Sequence, residues 1–442
     1  MKISLSDHFT YQKMLRFTLP SVVMLIFTSI YGVVDGFFVS NFVGKTPFAA
    51  VNLIMPFLMI LAAVGFMFGA GGGALIARTL GEGDNARANR TFSLLVYVTT
   101  GISLVFAAAS ILFLPNIARA LGAEGELLDN CVTYGRIILL ALPFNILQFE
   151  FQTFFIVAEK PHLGLGVTVA SGLTNMILDA VFMGMLGLGL PGAALATGLS
   201  QCVGGILPLL YFSRPNSSLL QLGKTRMDKT ALLKTCTNGS SELMSNMSMS
   251  LVSMLYNLQL MKYAGENGVA AYGVIMYVSF IFIAVFLGFS TGIAPVVSFH
   301  FGAGNRTELK SLLKRSFVII GALSLIMLLG GLLLARPLSG IFVGYDQALM
   351  TLTVRGMRFY AVSFLFSGIA IFGSSFFTAL NDGLTSALIS FLRSLLFQVA
   401  AVLLLPLIWD IDGIWLSIVG AELVAAGVTL VFLSVKRKVF HY

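Results

Sequence analysis

Charge is the scarcest property of this 442-residue sequence. Asp, Glu, Lys and Arg together make up 10% of it, whereas hydrophobic residues make up 57%. Soluble domains carry about 25% charged and roughly 45–50% apolar residues, so the chain lacks the charge to cover several soluble cores. At about 20 residues per membrane span, the apolar content leaves room for about twelve spans. The composition therefore predicts a membrane protein that crosses the bilayer many times.

Cysteine and histidine are also scarce, with three and four residues respectively. The cysteines at positions 131, 202 and 236 lack metal-ligand spacing, and the histidines are scattered along the chain. We therefore expect no cofactor, no resident metal beyond a coupling Na⁺, and no enzyme activity. The net charge of +8 is better explained by basic loops on the cytoplasmic side of a membrane than by nucleic-acid binding. The amino-terminal residues do not resemble a signal peptide, because Asp7 and His8 precede a long apolar run.

Twelve continuously apolar stretches are long enough to cross a bilayer as helices. Continuous apolar runs favour helices over a membrane β-barrel, whose strands alternate apolar and polar residues. The predicted fold is an all-α membrane protein of twelve transmembrane helices in two parallel six-helix repeats around a central cavity. The first six spans are predicted at 15–40, 47–77, 91–114, 130–157, 163–185 and 191–213, and the second six at 236–262, 269–300, 316–335, 352–379, 384–408 and 413–435.

Lysine and arginine predict the orientation. With the amino terminus placed in the cytoplasm, nineteen of the 27 Lys and Arg residues fall in inside loops and four in outside loops, the others lying within spans. Cytoplasmic loops carry such an excess of basic residues. We therefore expect a multi-pass protein of the cytoplasmic membrane with both termini inside the cell.

The two halves of the chain resemble each other at a constant offset of 221 residues. Gly44 matches Gly265, and the turns at Gly81 and Gly83 match those at Gly302 and Gly304. Each half has six spans, so both repeats point the same way, as expected for lobes related by an axis along the membrane normal. The predicted domains are an amino-terminal lobe, 1–213, a cytoplasmic linker, 214–234, and a carboxy-terminal lobe, 235–442.

Ionisable residues within spans are costly and therefore indicate function. Asp35 lies about twenty residues into the first span, and Asn175 and Asp179 lie four apart in the fifth, on one helix face. Neither carboxylate has a basic neighbour in sequence. Carboxylate and amide oxygens at these positions suit a monovalent cation or a shared proton, although interhelical hydrogen bonding alone is the alternative. Pro20, in the same span as Asp35, removes a backbone hydrogen bond and is a candidate hinge.

A second group of residues is predicted to line a substrate cavity. Glu242 begins the seventh span, ahead of a stretch rich in methionine, a side chain that adapts to varied apolar shapes. Glu150 in the fourth span is a similar candidate, and Glu422 in the twelfth could pair with Arg393 in the eleventh. Tyr256 occupies the position in the second repeat that Asp35 has in the first. The cavity candidates are Glu150, Glu242, Met244, Met247 and Tyr256.

Several motifs, in order and at matching spacing along essentially the whole chain, resemble the MATE (multidrug and toxic compound extrusion) transporters, in a bacterial multidrug-exporter subgroup. Each motif is weak alone, and the combination is fairly specific. The motifs are Leu19-Pro20, V-V-D-G-F-F-V at 33–39, Gly44, A-A-V-N at 49–52, G-E-G-D-N-A at 81–86, T-N-M-I-L-D at 174–179, P-G-A-A-L-A-T at 191–197, G-A-G-N at 302–305 and D-G-I-W-L-S at 412–417.

The resemblance implies two six-helix lobes in a V and export of drug-like compounds by antiport against Na⁺ or H⁺. The family's cation site in the first lobe matches Asp35, Asn175, Asp179 and Thr197 here, and its span-one proline matches Pro20. Two departures are visible. The tenth span lacks the carboxylate that some relatives carry, which argues against a second cation site built on Glu242. Glu159 and Lys160 stand where many relatives have an arginine.

The expected function is therefore secondary active export of amphipathic, cationic organic compounds by a monomer surrounded by membrane lipid, with no nucleic-acid partner. One alternative keeps the fold but moves a lipid-linked or other endogenous metabolite, which would require several basic residues deep in the cavity. An intramembrane enzyme would require a Ser–His pair, an Asp–Asp catalytic motif or metal ligands. A passive channel would show no dependence on an ion gradient.

Overall fold

Long helices make up almost all of the computed structural model, which describes residues 3–344 and 346–442. Within this part of the chain, eleven helices are long and apolar enough to cross a membrane. One of them, Lys229–Gly302, has 74 residues and is interrupted at Gly265, whose backbone is left-handed (φ 62°). A straight helix of 74 residues would be about 110 Å long, far beyond a bilayer core of about 30 Å. The interruption therefore separates two spans, and the predicted total of twelve is confirmed.

The twelve segments follow one another with short connections. Their bounds are α1 Tyr11–Phe42, α2 Lys45–Gly81, α3 Asn85–Ala120, α4 Gly125–Val157, α5 Pro161–Met185, α6 Gly189–Ser213, α7 229–264, α8 266–302, α9 Arg306–Val343, α10 Gln347–Ala379, α11 Gly383–Leu404 and α12 Pro406–Phe440. Most extend several residues beyond the apolar runs in the sequence, because polar end turns and caps such as Asp84, Asn305 and Asp346 continue the helices outside the apolar core.

Helices α1–α6 form one lobe, the N-lobe, and α7–α12 form the other, the C-lobe. Aromatic rings fill the N-lobe interior, where Phe151 stacks on Phe212 with ring centroids 5.6 Å apart and Phe92 meets both edge-on. Both ends of the described chain lie on one side of the molecule, since Leu5, Phe9 and Tyr442 belong to one apolar cluster. That side is called the terminal side, and the opposite one the distal side.

The sequence repeat is visible in the backbone. Gly44 and Gly265, which match at the offset of 221, both have left-handed backbones, with φ of 102° and 62°, at the turns from α1 to α2 and from α7 to α8. Gly83 and Gly304, a second matched pair, are left-handed as well. A residue with a Cβ is strained there, so the repeated glycines are explained by repeated turns.

The lobes meet through close helix contacts on the terminal side. At Gly81 of α2, an added Cβ would overlap the carbonyl oxygen of Phe299 on α8, and at Gly302 it would overlap that of Arg78 on α2. Arg78 and Phe299 are themselves 221 residues apart. The two contacts are therefore copies of one another, and the pseudo-two-fold axis passes between them.

A second matched pair of contacts lies deeper in the membrane. Gly71 of α2 packs on the backbone of Gly239 in α7, and Gly292 of α8 packs on Thr18 of α1. Gly71 and Gly292 are 221 residues apart, and so are Thr18 and Gly239. Toward the distal side the apolar clusters separate by lobe, since one contains only residues of α1–α6 and the other only residues of α7–α12. The described part of the structure is thus closed on the terminal side, and the lobes diverge distally.

The connection between the lobes lies along α3. Asn89 accepts from the Gln221 amide (2.7 Å) and donates to the Leu219 carbonyl, and Ser93 accepts from the Gly223 amide (3.0 Å). Leu220 is fully buried in the N-lobe cluster. The range 229–234, predicted as the end of the linker, instead forms the first turns of α7. Asp228 caps that helix by accepting from the Ala231 amide, so the helix begins where the cap allows.

We expect Gly81→Ala and Gly302→Ala each to lower the stability of the protein by about 1–3 kcal/mol, the usual cost of overpacking. The added methyl group would collide with backbone, which cannot move aside as a side chain can. Thermal unfolding of the purified protein in detergent measures the effect. Gly101→Ala and Gly321→Ala are matched controls, because both sites are helical and face open space. Equal melting temperatures for all four variants would contradict the interface.

Candidate functional site: a carboxylate pair in the N-lobe

Close packing of α1 against α5 positions the first candidate residue. Gly172 of α5 leaves room only for the rings of Phe27 and Tyr31, which an added Cβ would strike. Tyr31 and Asp35 are four residues apart and share a helix face. The contact therefore directs Asp35 toward the stretch of α5 that follows Gly172, which contains Asn175 and Asp179.

The structure brings together all four residues of the predicted cation site. The Asp35 carboxylate lies next to that of Asp179 and beside the Asn175 amide. Asn175 donates to the Thr197 hydroxyl of α6 at 3.4 Å. Asp179 is fully buried and Asn175 is 2% exposed, while Thr197 is partly exposed. Three helices thus supply oxygen atoms to one small region inside the lobe.

Most of these oxygens have no hydrogen-bond donor. Among the described residues, Asp35 Oδ1, Asn175 Oδ1 and both carboxylate oxygens of Asp179 are buried without a partner. Buried polar groups are normally hydrogen-bonded, and an unpaired buried carboxylate is especially costly. Two carboxylates, an amide oxygen and a hydroxyl are hard donors suited to an alkali cation or to a shared proton. The residues present therefore fit either coupling ion.

Tyr134 is a component that the sequence did not indicate. This α4 side chain is 1% exposed and lies within electrostatic range of Asp35 and Asp179, next to the Thr197 hydroxyl. Tyr31, four residues before Asp35, also faces its carboxylate. Helical spacing could have identified Tyr31. Tyr134 is distant in sequence from every other member, so only the packing of α4 reveals it.

The C-lobe has no comparable pair at the repeat-related positions. Tyr256, the counterpart of Asp35, is 3% exposed, donates to Gln398 Oε1 at 2.9 Å and stacks on Tyr272. The ring lies in the apolar interior of the lobe, and its assignment to the substrate cavity stays a prediction. The pairing of Arg393 with Glu422 is confirmed, with Nε 3.0 and 2.9 Å from the two carboxylate oxygens.

Of the two carboxylates predicted to line the substrate cavity, Glu242 lies between the lobes and Glu150 does not. Glu242 lines a small cavity there, together with Thr153 of α4 and Thr378 of α10, and the roles of both carboxylates stay predictions. Glu150 instead lies inside the N-lobe, fully buried, with one oxygen accepting from the Thr99 hydroxyl at 3.3 Å. Both side chains lie in apolar spans, and which helix face each one occupies is decided by packing, which explains why the sequence treated them alike.

The structure gives the positions of the remaining candidates but does not test their roles. Met244 and Met247 are 43% and 41% exposed on α7 beyond Glu242. Pro20 is buried within α1, which continues through it from Tyr11 to Phe42. The next residues, Ser21 and Val22, contact Gly288 of the other lobe. The proline therefore lies at the lobe interface, and its role as a hinge stays a prediction.

Comparison with known proteins identifies the family. The MatE family profile matches residues 20–181 and 243–404, one stretch in each repeat. The multidrug export protein MepA of Staphylococcus haemolyticus is 25% identical over 417 residues, covering 94% of this chain and 91% of that protein. MepA of Staphylococcus aureus strain N315 is 24% identical over 418 residues, covering 94% and 92%.

Solved structures show the same fold. A crystal structure of MATE in complex with MaL6 superposes with a TM-score of 0.93 at 21% identity, covering 98% of both chains. The outward-facing conformation of a multidrug resistance MATE family transporter of the MOP superfamily also gives 0.93 at 21% identity, covering 98% of this chain and 97% of that one. With its two profile matches and this two-lobe architecture, the chain belongs to the MatE family and is a multi-pass membrane transporter, not an enzyme.

Proposed function

We propose that the protein exports amphipathic organic cations from the cell in exchange for inward Na⁺ or H⁺. The observation that supports this most strongly is the group of unpaired oxygens around Asp35 and Asp179. An arrangement so costly without an ion favours ion binding, and an ion can drive transport only if it binds the two states of the protein differently. The relatives named multidrug export proteins support the choice of cargo.

The coupling ion binds at Asp35, Asn175, Asp179 and Thr197. A bound cation would take up the free oxygens of α1 and α5 and hold these helices together, with Thr197 of α6 as a neutral ligand. A proton shared by the two carboxylates would remove their repulsion by other means. In either case the ion changes how α1 packs in the N-lobe, and α1 also contacts α8 of the C-lobe.

The transported compound binds in the space between the lobes. Glu242 places a carboxylate there, and the half-exposed Met244 and Met247 extend an adaptable apolar surface along α7. A negative group beside flexible apolar side chains suits amphipathic cations. We further propose a monomer in the cytoplasmic membrane, in contact with lipid, with the terminal side in the cytoplasm. Its lobes are residues 1–213 and a second lobe that begins with α7 at Lys229, ahead of the predicted boundary at 235.

Anionic lipid-linked cargo is less well supported. The two span arginines that favour it are unavailable to such a ligand, because Arg393 is neutralised by Glu422 and Arg136 is exposed on the outside of α4. Among the described residues, the other side chains that line the cavity with Glu242 are uncharged, and Arg393, which lies within electrostatic range of Glu242, is paired with Glu422.

We expect Asp35→Asn and Asp179→Asn each to reduce energised efflux of a cationic dye such as ethidium by about tenfold or more, since about 1.4 kcal/mol of lost ion binding corresponds to a factor of ten. Efflux is measured in cells that lack other exporters. Asp129→Asn is the matched control, because this α4 carboxylate is exposed. Unchanged efflux in Asp35→Asn would remove the central claim.

The two coupling ions are distinguished in proteoliposomes by imposing a Na⁺ gradient and a pH gradient separately. If Na⁺ is the ion, Thr197→Ala should weaken Na⁺-driven dye uptake, because it deletes a ligand. If H⁺ is the ion, Thr197→Ala should have little effect, since the carboxylates hold the proton. Asp179→Asn should abolish transport in both cases. Dye that equilibrates at the same rate without either gradient would indicate a passive channel.

Stability measurements should distinguish the buried carboxylate of the C-lobe from that of the N-lobe. Glu422→Gln leaves the Arg393 charge without its partner, and breaking a buried ion pair costs about 3–5 kcal/mol. Asp179→Asn in Na⁺-free buffer removes a buried charge that accepts no hydrogen bond in the described structure, so it should not destabilise. The melting temperatures of the two variants in detergent test this contrast. A larger loss for Asp179→Asn would mean that its carboxylate is a packing element.

A further inference from the structure

The segment before α1, residues 3–10, lies beneath both lobes on the terminal side. Leu5 and Phe9 are fully buried there. They belong to an apolar cluster that also contains Ile156 of the N-lobe and Val297 and Leu309 of the C-lobe. The segment therefore covers the line along which the two lobes meet, rather than extending away from the protein.

One carboxylate attaches the segment to the N-lobe. Glu159, in the turn between α4 and α5, accepts from the Ser4 hydroxyl at 2.5 Å and from the Leu5 amide at 2.8 Å. Its backbone is left-handed, with φ of 59°. This conformation is uncommon for a residue other than glycine, and here it points the carboxylate at the segment.

A second carboxylate attaches the segment to the C-lobe. Glu308, in the first turn of α9, is 5% exposed and accepts from the Phe9 amide at 2.8 Å and from His8 Nδ1 at 2.5 Å. Arg315, two turns further along α9, donates to the Phe9 carbonyl. His300, at the end of α8, lies against the backbone of Leu5 and Asp7.

The two attachments differ in whether they resist separation of the lobes. The segment continues into α1 and so moves with the N-lobe. The Glu159 contacts therefore stay within one lobe and hold the segment in place. The Glu308 and Arg315 contacts cross between lobes, and separation of the lobes on the terminal side must break them.

We infer that segment 3–10 is a latch on the terminal side, with Glu308 the positioning residue that holds it to the C-lobe and Glu159 the residue that presents it. A transporter must open to each side in turn, so every cycle would release and remake the Glu308 contacts. The inference goes beyond the proposed function, because it depends on neither the coupling ion nor the cargo.

The test measures the distance between the lobes on the terminal side. Spin labels are placed at Arg87→Cys, at the start of α3, and Lys438→Cys, at the end of α12, after the three native cysteines are replaced by alanine. Both positions are exposed. Glu308→Gln should raise the population with the longer distance about tenfold, the expected effect of losing one charge-assisted hydrogen bond. Ser4→Ala should raise it by a smaller factor.

Asp228→Asn is the matched control. This carboxylate is exposed on the same side and accepts from the Ala231 amide within α7, a cap that asparagine keeps, so its distance distribution should equal that of the wild type. Thermal unfolding establishes that each variant is folded, and if Glu308→Gln is not, Ser4→Ala and Glu159→Gln decide by the same measurement. Distributions identical to the wild type in the folded latch variants, or an equal shift in Asp228→Asn, would overturn the inference. Neither dye nor ion gradient is used, so the result is separate from that of the efflux experiments.

Discussion

The close approach of helix backbones between the lobes is the contact on which the rest of the structure depends. Within a bilayer the surrounding lipid is as apolar as the side chains, so helices associate through close packing, and small residues make that packing possible. Gly81 and Gly302, and then Gly71 and Gly292, bring α2 and α8 against the other lobe at equivalent points. These contacts close one side of the molecule and leave the other side free to diverge.

Much of this fold follows from the sequence, because membrane spans are constrained by length and apolar content. The twelve spans, the repeat at offset 221 and the grouping of Asp35 with Asn175 and Asp179 could be predicted. The α7–α8 turn could be placed because Gly44 and Gly265 match. The interlobe contacts show why the same offset recurs, since a glycine on one lobe must be repeated on the other when an axis relates them.

The faces of the helices could not be predicted in the same way. Glu150, Glu242 and Tyr256 all lie in apolar spans, and their surroundings differ only because of which neighbour each faces. In a soluble helix, polar residues mark the outside, but a lipid-facing surface is itself apolar. The spacing of apolar and polar residues therefore cannot distinguish a face that lines the cavity from one that contacts lipid or the lobe interior. Tyr134 could not be identified from the sequence for the same reason.

The lobes share a fold but treat buried polar groups differently. In the C-lobe, Arg393 is matched by Glu422 and Tyr256 by Gln398. In the N-lobe, Asp35 Oδ1 and both carboxylate oxygens of Asp179 have no donor among the described residues. A buried carboxylate with a basic partner has little to gain from an ion, whereas a carboxylate pair with unpaired oxygens does. The two lobes thus have similar folds, and the N-lobe contains a carboxylate pair whose unpaired oxygens favour binding of a cation.

The position of the connecting chain has a consequence for how the two repeats are joined. Residues between α6 and α7 are hydrogen-bonded along α3 and anchored by the buried Leu220. The connection therefore runs along the surface of the N-lobe before α7 begins. The first turns of α7 also pack on the N-lobe, through Ala231 against Leu75 and Leu94, so the start of the second repeat is attached to the first.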